Sequence, residues 1–121
     1  MRLACETVVN EILPAVRSLM AKELKEEGYT QTEIAAALDL TQPAVSQYLN
    51  ASRGRKVQRL EDDEEAYQAV QELVELVVDD APSDEVSDAL CDACLTIRAT
   101  GVFGDVSGPD EVDGECLMRD A

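Results

Sequence analysis

The sequence predicts an all-α protein, and three features of the chain support that prediction. Apolar residues recur at helical spacing along most of residues 6–100. Capping residues and glycines mark where helices would begin and end. No stretch of any length shows the alternation of apolar and polar residues that a half-buried strand requires.

The first predicted helix spans residues 6–27 and carries its apolar residues at helical spacing. Pro14 lies inside this pattern. We therefore expect either a kink or a short helix followed by a longer one that holds Pro14 in its first turn. Gly28 is expected to end the helix in a left-handed conformation.

Two short helices joined by a tight turn are predicted next. Thr30 and Glu33 have the spacing of a capping box, which predicts a helix over residues 30–38. Thr41 can cap the following helix, which is expected over residues 41–50.

Two further helices are predicted in the second half of the chain. The first covers about residues 61–80, and its apolar stripe (66–78) would pack either on the first half of the chain or on a second subunit. Ser83 is expected to cap the next helix and Gly101 to end it. Residues 102–121 are rich in Gly, Pro and Asp and are expected to form a weakly structured tail.

Residues 31–50, QTEIAAALDLTQPAVSQYLN, resemble the helix-turn-helix motif of the lambda repressor and Cro proteins over all twenty positions. Ala35 and Val45 stand where the two helices would cross. Asp39 occupies the turn position that usually holds glycine, and Asp tolerates the left-handed conformation better than most residues. The resemblance implies a lambda-repressor-like domain, with the second helix of the motif lying in a DNA groove. The helical spacing of residues 61–100 adds a C-terminal helical element to this domain.

The outward face of that second helix carries the candidate DNA-reading residues. Gln42 and Gln47 can make bidentate contacts to adenine, and Ser46 can contact several bases. Thr41, or backbone N–H groups at the helix start, would hold a phosphate. A basic run over residues 53–59 follows, in a glycine-containing loop suited to phosphate contact. The alternative is a small helical hairpin with a polar surface, which the twenty matching residues disfavour. The predicted DNA-binding residues are Thr41, Gln42, Pro43, Ser46, Gln47, Asn50, Arg53, Arg55 and Lys56.

The net charge of −16 is concentrated in one half of the chain. Residues 1–60 hold eight basic and seven acidic residues (8 − 7 = +1), whereas residues 61–121 hold two basic and nineteen acidic ones (2 − 19 = −17). Such acidity fits either an interaction tail or the solvation surface of a halophilic protein. Three Lys against seven Arg, with acidic residues in every segment, favours the halophilic interpretation.

The composition disfavours several classes of function. The chain has no histidine, which excludes Ser-His and Cys-His catalytic pairs, and we expect no enzyme. No apolar run approaches the roughly 20 residues that span a bilayer. The N-terminus, MRLACETVVNEILP, lacks the apolar core of a signal peptide. We therefore expect a soluble, cytoplasmic protein.

A longer stretch of the sequence resembles a more specific family. Residues 9–54, VNEILPAVRSLMAKELKEEGYTQTEIAAALDLTQPAVSQYLNASRG, are similar to the N-terminal part of a family of small archaeal (haloarchaeal-type) transcriptional regulators. Members join an LPA(I/V)R-type first helix to a TQ(A/P)AVSQYL helix. The similarity covers about residues 4–60 and extends more loosely to the C-terminal CxxC stretch, residues 91–98. It implies a sequence-specific, homodimeric regulator.

Cys5, Cys91, Cys94 and Cys116 are the remaining residues with metal or redox chemistry. A CxxC pair in a cytoplasmic protein indicates metal binding or redox work more often than a structural disulfide. Because the chain has no histidine, a site formed by these four thiolates would hold an iron–sulfur cluster or zinc. The alternatives are a reversible thiol–disulfide switch and inert cysteines that fill a helix interface. Cys116 lies in a Gly- and Asp-rich tail, where a core role is hard to justify, and this favours the metal site.

Together these features predict three regions. Residues 1–60 would form the DNA-binding domain, residues 61–100 a two-helix dimerisation or sensor element, and residues 101–121 an acidic, Gly-rich tail. The predicted function is a transcriptional regulator that binds double-stranded DNA as a homodimer and senses redox state or metal through its cysteines. The alternative is a passive DNA-binding or protein-interaction module whose acidic half recruits a partner.

Overall fold

Six α-helices, preceded by a π-helical turn, make up residues 8–103, which the computed structural model describes. The turn spans Val8–Ile12. The helices are α1 (Leu13–Glu26), α2 (Gln31–Leu38), α3 (Gln42–Ala51), α4 (Arg55–Asp62), α5 (Glu64–Val78) and α6 (Ser83–Thr100). No strand occurs in this range, which confirms the predicted all-α class. Nor is any helix in it long and apolar enough to cross a bilayer.

The N-terminal helix follows the prediction made from its proline and its glycine. Pro14 lies in the first turn of α1, directly after the π-helical turn, where its missing N–H costs little. Gly28 has φ +108° and ends the helix, and the N–H of Tyr29 donates to the carbonyl of Leu24 at 3.1 Å. This left-handed end turns the chain towards α2.

α1 is the helix around which the others pack. It contacts α2, α3, α4 and α5, and Val16, Leu19 and Leu24 are each 0% exposed. Burying a side chain of this size stabilises the fold by about 1.5–3 kcal/mol. The other helices are therefore positioned mainly by their contact with α1.

The apolar stripe of residues 66–78 packs within the chain. α5 contacts α1, α4 and α6, and α6 packs on α5 and on the π-helical turn. The expected packing on the first half of the chain is therefore present, together with packing on α6, and packing on a second subunit stays a prediction. The buried members of the stripe are Ala66, Val70, Leu73, Val74 and Val77.

Two predicted helix starts in the second half were wrong. α5 begins at Glu64 rather than near residue 61, because Asp63 caps it by accepting from the N–H of Ala66 at 2.9 Å. Ser83 was expected to cap α6, but Pro82 takes the extended cap position (φ −57°, ψ 148°), which leaves Ser83 as the first helical residue.

The end of α6 was predicted correctly, whereas the start of the tail was not. Gly101 has φ +79° and ends the helix in a left-handed conformation. Phe103, expected in a weakly structured tail, is only 8% exposed and joins the hydrophobic core. The rest of the expected tail, residues 104–121, lies outside the described residues.

Candidate nucleic-acid interface

Local side-chain hydrogen bonds set the ends of α2 and α3. The capping box is present: the N–H of Glu33 donates to Thr30 Oγ1 at 3.1 Å, and the N–H of Thr30 donates to Glu33 Oε1 at 2.8 Å. Asp39 ends α2 in the left-handed region (φ 56°, ψ 49°), as the turn requires. Thr41 then caps α3 by accepting from the N–H of Ala44 at 3.2 Å. These bonds confirm the predicted helix-turn-helix geometry.

α3 is anchored through one face. Val45 is 0% exposed, Tyr48 and Leu49 are half-buried, and all three pack in or against the hydrophobic core. Ala35 on α2 is also buried, at 8% exposed, as expected for the residue at the helix crossing. α3 contacts both α1 and α2, so its orientation is fixed from two sides.

The predicted DNA-reading residues lie on the remaining surface of α3. Gln42, Gln47 and Asn50 are exposed, and Ser46 is half-buried. The face thus presents two amide side chains, at the start and the middle of the helix, with a third at its end. Thr41 is exposed, and its hydroxyl can still donate to a phosphate while it caps the helix. Pro43 is also exposed.

The basic run does not form the loop that was expected. Only Ser52, Arg53 and Gly54 separate α3 from α4, and Arg55 and Lys56 are the first two residues of α4. Arg53, Arg55 and Lys56 are all exposed. They therefore lie at the start of α4 or just before it, and α4 follows α3 after only three residues.

The first turn of α4 has no side-chain cap. Gly54 occupies the cap position with extended backbone (φ −84°, ψ 175°). A Cβ built there would lie 3.1 Å from the carbonyl oxygen of Ala51, so glycine fits this close approach best. The N–H groups at a helix start have no intrahelical acceptors and favour an anion. Two basic side chains and these N–H groups thus share one short segment.

Polar contacts link α1 to α4 and to α5. Lys22 on α1 pairs with Glu61 on α4 at 2.5 Å between Nζ and Oε2, and this hydrogen bond raises the pKa of Lys22. Gln71 on α5 donates to Glu23 Oε1 at 2.8 Å. Burial, followed by the charge of Glu23, raises the pKa of Tyr67. α1, α4 and α5 are therefore linked by polar side chains as well as by apolar packing.

The two cysteines of the CxxC pair lie in the middle of α6. Both are thiols, with Cys91 7% exposed and Cys94 0% exposed. Within residues 8–103 no three or more His, Cys, Asp or Glu side chains form a group that could hold a metal ion. Cys5 and Cys116, the other two predicted ligands, lie outside the described residues.

The comparison with protein families agrees with the geometry of α1 to α4. Residues 20–61 match the family described as helix-turn-helix, of the lambda repressor and Cro type, from the middle of α1 to the end of α4. The family is one of DNA-binding rather than enzymatic domains, and the match supports a transcription-regulating role. No curated protein and no solved structure matches the chain significantly.

Proposed function

Because residues 20–61 form a lambda-repressor-like helix-turn-helix domain, we propose that this protein is a sequence-specific transcriptional regulator that reads double-stranded DNA with α3. The observation that carries the proposal is the exposed polar face of α3, within the matched segment and held by buried Val45. In helix-turn-helix proteins the first turns of this helix face base edges. Gln42 and Gln47 are the base-reading residues, with Ser46 and Asn50 beside them.

Phosphate contacts come from the two ends of α3. Thr41 and the N–H groups of the first turn hold one phosphate at its start. At its other end, Arg53, Arg55 and Lys56 act together with the uncapped first turn of α4. These contacts fix the position of α3 along the duplex, whereas the amide side chains supply the sequence preference.

The proposed regulator is a homodimer. A single helix-turn-helix reads only a few base pairs, and two copies reach half-sites about one turn of DNA apart. Most of the apolar stripe of α5 is buried within the chain, so the dimer interface would draw mainly on other surfaces. Should the acidity reflect a halophilic, archaeal origin, high salt would reduce the gain from counterion release, and the base contacts would carry more of the affinity.

Selection from random duplexes tests this function. The protein is incubated with a library of random DNA at low competitor concentration, and the retained duplexes are sequenced. The expected result is one enriched motif with two related half-sites. Retention that is equal for all sequences, or no retention above that of an unrelated acidic protein, would overturn the proposal.

We further propose that Cys91 and Cys94 contribute to a four-cysteine iron–sulfur or zinc site completed by Cys5 and Cys116. Residues three apart on a helix are neighbours on one face, with Cβ atoms about 5–6 Å apart. α6 packs on the π-helical turn Val8–Ile12, and Cys5 precedes that turn by three positions. The proposed site would therefore use the contact between α6 and the π-helical turn.

The two alternatives to a metal site are a Cys91–Cys94 disulfide switch and inert packing of these cysteines, and they require different things of α6. A Cys91–Cys94 disulfide needs Cβ atoms about 3.8 Å apart, so it would distort the middle of the helix. This weighs against a switch formed by that pair alone. Inert packing is favoured by the complete burial of Cys94 in the core. It remains the second candidate, and it corresponds to a DNA-binding module without a sensor.

Metal content separates these two candidates. Protein purified without oxygen is expected to carry iron or zinc in near-stoichiometric amounts, with visible absorption if the metal is iron. Cys91→Ser should lose that metal and change the regulation of a target promoter. Colourless, metal-free protein with four titratable thiols would contradict the site, and would leave the DNA-binding proposal untouched.

A further inference from the structure

A long groove runs between α5 and α6, on the part of the molecule that DNA binding does not use. Its volume is about 570 Å³. Its lining runs from Glu65 on α5 to Asp79, one residue beyond the end of α5, a rise of about 21 Å along the helix axis. On α6 the lining is shorter and runs from Ala89 to Thr96.

The groove has an apolar floor and an acidic rim. Small and aliphatic side chains form the floor, among them Ala69, Leu76 and Ala89. Exposed carboxylates stand along the rim, with Glu72 and Glu75 near its centre. The described residues that line it include no Lys or Arg. Its natural complement is a row of apolar side chains flanked by positive charges.

We infer that this groove binds a cationic amphipathic helix of a partner protein. Such a helix lays its apolar stripe along the floor and places Lys or Arg against the carboxylates on either side. The length of the groove corresponds to about 14 helical residues, or four turns. A partner bound in this groove leaves the surface of α3 accessible to DNA.

Charge excludes the other obvious occupants. A second copy in two-fold contact would bring the same carboxylates against each other. Residues 104–121 carry six acidic side chains and one basic one, so the tail of this chain is repelled as well. A metal ion has no cage here, because no three acidic side chains within residues 8–103 converge closely enough to hold one.

The test uses a labelled synthetic peptide of about 16 residues, with Leu at helical spacing and Lys on the flanking positions. Two matched peptides replace either Lys by Glu or Leu by Ser. Binding to the full chain is followed by fluorescence anisotropy at about 0.1 M salt. The Leu–Lys peptide is expected to bind one-to-one, and the other two peptides at least about tenfold more weakly.

Variants of the protein locate the binding site. Glu72→Gln with Glu75→Gln should weaken binding about tenfold, because each exposed ion pair contributes a few-fold. The control pair, Glu64→Gln with Glu85→Gln, removes two exposed charges that do not line the groove and should change binding less than twofold. Retained DNA binding by each variant shows that the fold is intact.

A second pair of variants tests the floor without changing charge. Ala89→Leu fills the groove and should reduce binding about tenfold or more, whereas Ala99→Leu, on the exposed side of α6, should not. Equal weakening by the control variants would overturn the inference, as would equal binding of the Leu-to-Ser peptide. A dimer that dissociates on Ala89→Leu would also overturn it, since the occupant would then be a second copy.

Discussion

The sharpest prediction concerns Lys56 and the salt dependence of DNA binding. Arg53, Arg55 and Lys56 are exposed around the start of α4, and each is assigned one phosphate. A homodimer then makes about six such contacts, so log K should fall against log salt with a slope of about −5.4. Between about 50 and 200 mM salt the affinity should fall roughly 10³-fold.

Lys56→Gln removes one contact per protomer. The slope should then become about −3.6, and the same change in salt should cost only about 150-fold. The preferred base sequence should not change, because a phosphate contact carries no direct sequence information. The assay is fluorescence anisotropy on the selected duplex at five or more salt concentrations.

Arg98→Gln is the control for this experiment. Arg98 lies on α6, which packs on α5 and the π-helical turn rather than beside α3. The same loss of one positive charge should leave the slope unchanged. Should Lys56→Gln keep the wild-type slope, or Arg98→Gln lower it equally, the assignment of the α4 start as a phosphate contact would be refuted.

Two further predictions concern stability. Asp39→Gly relieves a left-handed conformation that costs a non-glycine residue about 1–2 kcal/mol, although glycine adds chain entropy to the unfolded state. The free energy of unfolding, measured by urea titration, should therefore rise by up to about 1 kcal/mol. A lower free energy of unfolding than that of wild type would contradict the strain at this turn. The raised pKa of Tyr67 means that its contribution to stability is present below pH 10 and lost as the pH rises through the folded-state pKa. Tyr67→Phe should therefore lose less stability than wild type between about pH 9 and 11, and identical pH profiles would exclude that contribution.

The helix-turn-helix could be predicted from the sequence because its determinants are local. Thr30 with Glu33, and Thr41 with Ala44, are bonded across three positions, so the spacing of residues reveals each cap. The left-handed conformation of Asp39 is likewise set by the short turn between α2 and α3. Because Val45 is buried, the residues on the opposite side of α3 can be identified as its exposed face. Rules that act within one turn of helix therefore fixed this part of the fold.

α4 could not be found in the same way. Its eight residues, RKVQRLED, include only two apolar side chains, Val57 and Leu60, too few to show helical spacing. Both are buried, at 1% and 0% exposed, by contacts with α1 and α5 that are distant in sequence. The burial of Phe103 was not predicted for the same reason, since the residues that follow it, Gly104 and Asp105, are typical of a loop. The groove likewise depends on how α5 and α6 pack.

The central claim is that the exposed amides of α3 read base edges, and a binding measurement on Gln47→Ala tests it most directly. The affinities of wild type and of Gln47→Ala are measured for the selected duplex and for each single base-pair change in it. The claim predicts that the variant loses discrimination at one position per half-site, by about 1–3 kcal/mol, and keeps its preferences elsewhere. A Gln47→Ala protein that discriminates at every position as wild type does, at both low and molar salt, would contradict it.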